Sequence, residues 1–401
     1  MNFRLIKKGF YERSRNKKSF LYGITTNVIL LGLTSMFMDV SGEIITAILP
    51  LFLSSLGAGA IAIGFIGGIS DSAVSIFKII SGYLSDKTGK RKPFVIFGYA
   101  FSSISRFFIA ISSTWPMILV FRPLERLGKG IREPPRDALL AETTKREVHG
   151  KVFGIHQAFD TAGAVIGSIL ALVFIATGLH FRSALMIAAV IAIISVVPLI
   201  ALKEKVKKSR EITLKIGLKG LSKRFKTFLA IVTLFALGNF SYFFFILKAQ
   251  EVFNSYTTSI MLFVIHNLFY VAFAIPGGVL SDKIGRKKVL TFGYFLFAIT
   301  FLGFALISST LTEFIIIFAL YGISKALVES NQRALASDLA SKDLGMAIGT
   351  FHMVIGLAAL PAGLIAGALW GYVSPSSAFL YGAVVSTIAA SWFLFDKRID
   401  V

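Results

Sequence analysis

No cysteine occurs among the 401 residues, which excludes disulfides, thiolate metal sites and a cysteine nucleophile. Acidic side chains are scarce too: 21 Asp and Glu stand against 42 Lys and Arg, a formal net charge of +21. Some motifs are missing as well. No Gly-x-x-x-x-Gly-Lys-Ser/Thr run and no soluble region of ATPase size is present, so nothing here would cradle a nucleotide phosphate. No nucleophile elbow and no His-Glu-x-x-His pair is found. No cofactor is expected, and an integral-membrane enzyme is left as a remote alternative, resting only on a His-Asp pair described below.

What the chain has in quantity is apolar surface. It is 55% hydrophobic, with mean hydropathy +0.76, above the roughly 45–50% apolar content of soluble domains. Uncharged runs such as Leu21–Met38, Ser183–Leu202 and Met353–Tyr372 are long enough to cross a bilayer. Twelve spans are predicted, near 22–53, 60–82, 94–112, 115–132, 152–177, 181–202, 227–248, 258–280, 289–309, 311–329, 346–371 and 377–395. All should be helical, because lipid offers backbone groups no other partner. The first apolar run is too long for a signal-peptide core and is read as a retained span.

The positive charge is one-sided, which favours membrane topology over nucleic acid as its explanation, and no nucleic-acid partner is expected. With the N-terminus inside, 35 of the 42 basic residues fall on inner segments and only Arg182 on an outer loop. The others, Lys78, Arg106, Arg122, Arg126, Lys248 and Lys325, lie in or at the edge of spans. A multi-pass protein of the cytoplasmic membrane with both termini cytoplasmic is expected.

The chain also repeats itself. Gly82-Tyr83-Leu84-Ser85-Asp86-Lys87-Thr88-Gly89-Lys90-Arg91-Lys92 returns as Gly278-Val279-Leu280-Ser281-Asp282-Lys283-Ile284-Gly285-Arg286-Lys287-Lys288, offset by 196 residues, with seven of eleven positions identical. The offset also pairs Lys129 with Lys325, Glu133 with Glu329 and His156 with His352, while Phe97-Gly98-Tyr99 answers Phe292-Gly293-Tyr294 one residue out of step. A charged turn repeated at half-length marks two copies of one unit. The expected organisation is all-α: a six-helix bundle in 1–202, a basic amphipathic cytoplasmic linker in 203–226, and a second, pseudo-symmetric bundle in 227–401.

These two turns, between spans two and three and between spans eight and nine, resemble the signature of the major facilitator superfamily, and the resemblance runs the length of the chain. Asp39-Val40-Ser41-Gly42-Glu43 and the run Glu125–Leu139 look like a bacterial and archaeal subgroup of permeases and efflux proteins. The resemblance implies alternating access, a monomer, and a conformational latch at the turns: Gly82, Asp86, Gly89, Arg91 and Arg132 in the first copy, Gly278, Asp282, Gly285 and Arg286 in the second. Arg132 is the cation expected to meet Asp86 in one state. For Lys87, Lys90, Arg91 and Lys92 the alternative is plain anchoring at the inner face.

An ionisable side chain at mid-membrane costs about 2.5–3.5 kcal/mol on insertion scales, so each needs a partner, water or a use. The first half holds most of them. Asp39 and Glu43, Arg122 and Arg126, and His156 and Asp160 are each spaced i,i+4, one helix face apiece. With Asp71 and Glu125 they form the expected proton-coupling and substrate set. Asp39 could instead pair structurally with Arg126, and either Arg122 or Arg126 could be the cavity-facing arginine of span four. His156 and Asp160 could relay protons. The second half offers Asn239, His266, Asn267, Lys325, Glu329 and His352 as cavity residues, and Glu43 and Asp71 are replaced there by Asn239 and Asn267. Lys78, Arg106 and Lys248 are read as snorkelling. Gly163/Gly167 and Gly363/Gly367 are read as close helix packing, with dimerisation a lesser alternative.

The expected function is proton-coupled secondary transport of a small solute, with export of a small organic or cationic compound favoured. The alternative is a divalent metal cation as cargo, held by Asp39, Glu43, His156 and Asp160.

Overall fold

A computed structural model describes residues 24–204, 206, 217–218, 220–306, 310–340 and 344–399. The basic N-terminal tail and half of the 203–226 linker lie outside the described residues.

The described residues form helices and no strand. The first six are α1 (Thr26–Ser55), α2 (Ala60–Thr88), α3 (Lys92–Ile111), α4 (Trp115–Glu142), α5 (His149–Ala176) and α6 (Phe181–Ile194). The second half holds α7 (Lys223–Gly238), α8 (Phe243–Phe253), α9 (Tyr256–Ile284), α10 (Arg286–Leu306), α11 (Leu311–Leu339), α12 (Leu344–Tyr372) and α13 (Pro375–Phe395). Among the described residues, eleven helical segments are long and apolar enough to span a membrane, α7 and α8 counting together as one. The twelfth span is α4. It misses that measure because it carries Arg122, Glu125, Arg126, Lys129, Arg132 and Glu133, and such charges are tolerated only when turned into the protein. Residues such as Phe97, Ile193, Phe292 and Ile299 are exposed and give the outer surface its apolar character.

Helix ends follow local chemistry. Pro93, Pro116 and Pro375 sit in first turns, where a missing N–H breaks no helical bond. Thr310 with Glu313 caps α11 reciprocally. Both charged turns reverse at a glycine with positive φ, Gly89 at 70° and Gly285 at 97°, a backbone region that disfavours any side chain.

One expectation needs correction. The seventh span is not a continuous helix over 227–248: α7 ends at Gly238, residues 239–241 are unwound, and α8 starts at Phe243. Non-helical backbone at this depth persists only when covered by protein. Here Phe240 is buried and the Tyr381 hydroxyl donates to the Leu237 carbonyl at 3.1 Å.

Each half packs within itself, α1 on α5 and α3 on α4 in the first, α9 on α11 and α10 on α13 in the second. The halves join along α2 with α12 and α5 with α9. Small residues make the first seam: a Cβ at Gly64 would collide with the Gly363 carbonyl, and one at Gly367 would lie 2.7 Å from the Ala60 carbonyl. Ser72 Oγ donates across it to the Gly356 carbonyl at 2.5 Å. The Gly363/Gly367 face is therefore spent on this internal contact. At the end away from the charged turns, Ile44–Leu53 of α1 share one apolar cluster with Phe243, Ile246, Ile260 and Phe263 of the second half.

Candidate functional site

The polar centre is built on α1, α2, α4, α9 and α11. Asp39 and Glu43 stand one turn apart on α1, and α5 approaches them through two glycines. A Cβ on Gly163 would lie 3.1 Å from that of Asp39, and one on Gly167 2.9 Å from that of Glu43. The Gly-x-x-x-Gly pair of α5 thus holds that helix close behind the two acids. Glu43 Oε2 accepts a hydrogen bond from Asn267 Nδ2 at 3.0 Å, joining α1 to α9 across the halves. Lys129 and Lys325 lie near enough for their charges to act on Glu43, and Asp39 and Asp160 lie near each other.

Arg126 does not pair with Asp39. Its Nη2 donates to Asp71 Oδ1 at 3.1 Å, and the Asp71 side chain remains 45% exposed. The other span-four arginine behaves differently. Arg122 donates to Glu125 Oε2 at 2.8 Å, while Arg106 Nε and Nη2 donate to Glu125 Oε1 at 3.1 and 2.7 Å. All three residues are at most 3% exposed. Arg106 is therefore not a snorkelling residue; it reaches inward from α3 and also donates to the Met38 carbonyl at 2.8 Å. Glu125 is thus buried between two cations, whereas Arg126 pairs with Asp71.

Lys78 and Lys248 are also better partnered than snorkelling implies. Lys78 Nζ meets Glu133 at 2.5 Å, with Lys129 at 3.5 Å on the other oxygen. Lys248 is buried and 3.8 Å from Glu251. His156 Nδ1 and Asp160 Oδ2 are 3.4 Å apart, and His156 Nε2 and Asp160 Oδ1 are buried with no hydrogen-bond partner among the described residues. The four residues of the metal alternative do not converge: no group of three or more His, Asp or Glu able to hold a metal exists among the described residues.

In the second half, Lys325 and Glu329 pair at 3.6 Å and the Tyr270 hydroxyl donates to Glu329 at 2.9 Å. His266 stacks on Tyr321 with centroids 4.5 Å apart. Asn239 caps α7 at the helix break. His352 lies on α12 beside Phe351 and takes no part in the His156 pair.

The turns are charge clusters. Arg91 binds Asp86, donates to Ser85 Oγ at 2.8 Å and lies 3.3 Å from Glu142. Arg286 is 3.5 Å from Asp282 and binds Asp338. Gly82 faces Pro134 of α4, while Gly278 faces open space. Arg132 is not the partner of Asp86 here: its guanidinium lies 4.6 Å over the Tyr99 ring and donates to Ser102 Oγ at 2.7 Å. The two counter-acids, Glu142 and Asp338, were missed in the sequence although the repeat offset relates them. Tyr242, Tyr270 and Tyr321 were also missed; no periodicity distinguishes them from other apolar-face aromatics.

Two six-helix bundles around a charged centre, with matched charged turns, define a membrane transporter of two repeated halves. The sequence profile of the Major Facilitator Superfamily matches residues 29–254 and 227–400, and the chain belongs to this family. An uncharacterized MFS-type transporter of Methanocaldococcus jannaschii is 45% identical over 381 residues, 93% of this chain and 95% of that one. The multidrug resistance protein MdtH of Photorhabdus laumondii is 29% identical over 119 residues, 30% of this chain and 29% of its own length. Among solved structures, a POT family transporter in complex with 5-aminolevulinic acid superposes with a TM-score of 0.80 at 12% identity, covering 95% of this chain and 98% of that one. The nucleoside transporter NupG gives 0.77 at 16%, covering 92% and 100%. At these identities the structures establish the fold alone.

Proposed function

We propose that this transporter exports a small organic or cationic compound across the cytoplasmic membrane, as a monomer with both termini cytoplasmic, in exchange for protons. Residues 1–202 and 227–401 rock as two bodies joined by 203–226, with Asp86, Arg91 and Glu142, and Asp282, Arg286 and Asp338, latching the turns. Asp39 and Glu43 carry the proton, Asp71 and Arg126 sit at the cargo path, and His156 with Asp160 links Asp39 towards the cytoplasmic side. The resemblance of one segment to a multidrug resistance protein supports export of organic compounds.

The observation that carries this reading is the hydrogen bond from Asn267 to Glu43. It ties a titratable group of one half to the other half, beside Asp39. A proton bound there would alter a contact between the halves, and a ligand shifts a conformational equilibrium only where it favours one state's contacts over the other's.

Proteoliposomes with an internal pH dye and an imposed pH gradient test it, wild type beside Asp39→Asn, against pooled organic cations. Cargo-dependent proton flux lost in the variant is expected. Cargo movement without proton flux, equal in both proteins, would make the α1 acids structural and the protein a uniporter.

A further inference from the structure

Arg182, the outer-side exception to the charge pattern, lies in the first turn of α6, at the end of the bundle away from the charged turns. Its side chain is exposed and makes no ion pair or hydrogen bond with the described residues. Neither α3 nor α6 contains an acid to neutralise it. Beside it, between these two helices, lies a cavity of about 640 Å³, walled by Ile111, Met186, Ile187, Val190 and Ile191, with Arg182 at one end. Ile111, Ile187 and Val190 are exposed, so the groove faces lipid.

The dimensions suit one leaflet. Arg182, Met186 and Val190 are spaced i,i+4, along one face of α6. From Arg182 to Ile191 that helix rises about 13 Å, close to the ~15 Å hydrocarbon depth of half a bilayer. The cation thus stands at headgroup level with an apolar trough of chain length beneath it. The second half supplies a contrast. A groove along α13 also ends at an arginine, Arg398, beside Trp392 and Phe395. There Asp396 takes up the guanidinium at 2.7 Å. At Arg182 the described residues provide no counter-ion.

We propose that this groove binds an anionic phospholipid of the outer leaflet, its phosphate on Arg182 and one acyl chain between α3 and α6. A guanidinium meets phosphate oxygens with paired N–H donors and does not lose its charge. A free phosphate would satisfy the arginine and leave the apolar walls unused, whereas a lipid fits both parts of the site. The site is independent of cargo and of proton coupling.

Photolabelling of the full chain in phosphatidylcholine nanodiscs tests it. The probe is a small share of phosphatidylglycerol carrying a diazirine in one acyl chain, and adducts are mapped by mass spectrometry to residues 110–111 and 182–191. Labelling there should exceed that by a matching phosphatidylcholine probe by on the order of tenfold, the worth of one charged hydrogen-bonded contact. Arg182→Gln should abolish the preference and Arg182→Lys keep part of it. Val190→Trp fills the groove from its open side and should remove the excess with Arg182 still in place. Thermal melts identify folded variants, and the comparison of the two probes on wild-type protein stands without any variant. Equal labelling by the two probes overturns the proposal and makes the groove ordinary annular surface. So does a preference that survives in folded Arg182→Gln or in folded Val190→Trp. Displacement by inorganic phosphate as effective as that by unlabelled phosphatidylglycerol would also overturn it, assigning Arg182 to a free anion.

Discussion

In the first half, Glu125 is buried between Arg106 and Arg122. The equivalent place in the second half holds Tyr321, with Phe318 matching Arg122 and, allowing the one-residue slip of α10, Phe301 matching Arg106. Tyr321 stacks on Phe245 at 4.1 Å and meets Phe301 edge-on at 6.5 Å. The same slot in the same fold is thus filled by ions in one copy and by rings in the other. The contrast extends outwards. Ile, Leu and Ala dominate the first-half clusters, whereas the second-half core is built on Phe225, Phe228, Phe235, Phe297, Phe301, Phe304 and other rings. The fold asks for a filled, mutually satisfied slot and does not dictate the chemistry that fills it. Buried ions and close-packed apolar groups can be near-equal solutions, because the Coulombic gain of the former is set against desolvation.

The largest effect should come from breaking the ionic solution on one side only. Glu125→Gln leaves two buried arginines with too little counter-charge, and a loss of about 3–5 kcal/mol is expected in chemical denaturation. Importing the second-half residues together, as Arg106→Phe, Arg122→Phe and Glu125→Tyr, should recover most of that loss. A triple variant less stable than the single one would mean that the halves are not interchangeable at this slot.

A smaller effect is expected from the ring side. Tyr321→Leu keeps an apolar filler and removes the stacking, for about 1–2 kcal/mol. A loss as large as that of Glu125→Gln would erase the distinction between the two chemistries.

The turns agree in sequence but not in backbone detail. Gly89→Ala forces a side chain into the left-handed helical region (φ 70°, ψ 9°), at about 1–2 kcal/mol. Gly285, at φ 97° and ψ 138°, lies in a region all but restricted to glycine, so Gly285→Ala should lose at least as much in chemical denaturation, and a smaller loss there would overturn this reading.

The smallest effect concerns pH. Asp396, just past α13, accepts hydrogen bonds from Arg398 that hold its carboxyl below the ordinary carboxylate range. A depressed folded-state pKa stabilises above the unfolded value of about 3.9 and is lost as pH falls through the folded value. Asp396→Asn should therefore narrow the gap in Tm between neutral and strongly acidic pH. An unchanged gap would remove this group from the pH response.

Much of the fold was legible in the chain. Span length, the one-sided placement of lysine and arginine and the 196-residue repeat depend on the bilayer and on copy number, which act on any sequence regardless of partner. The break in the seventh span was missed although Gly238-Asn239 is a helix-ending pair, because an isolated glycine inside an apolar run does not by itself end a span and the unwound residues are held by tertiary cover. Partner choice failed for a similar reason. Arg126 could equally have met Asp39 or Asp71, and Asp86 could have met Arg91 or Arg132, since i,i+4 spacing fixes a helix face but not the face opposite.

The sequence by itself determined a twelve-span, two-copy membrane protein whose acids within spans are concentrated in its first half, because hydropathy, charge bias and repetition are properties of the chain alone. Only the tertiary structure decided that Glu125 is enclosed while Glu43 reaches across to Asn267, that Arg106 points inward, and that Lys325 lies over two tyrosines. Those outcomes depend on which helix faces meet, and that is settled by packing between segments far apart in sequence.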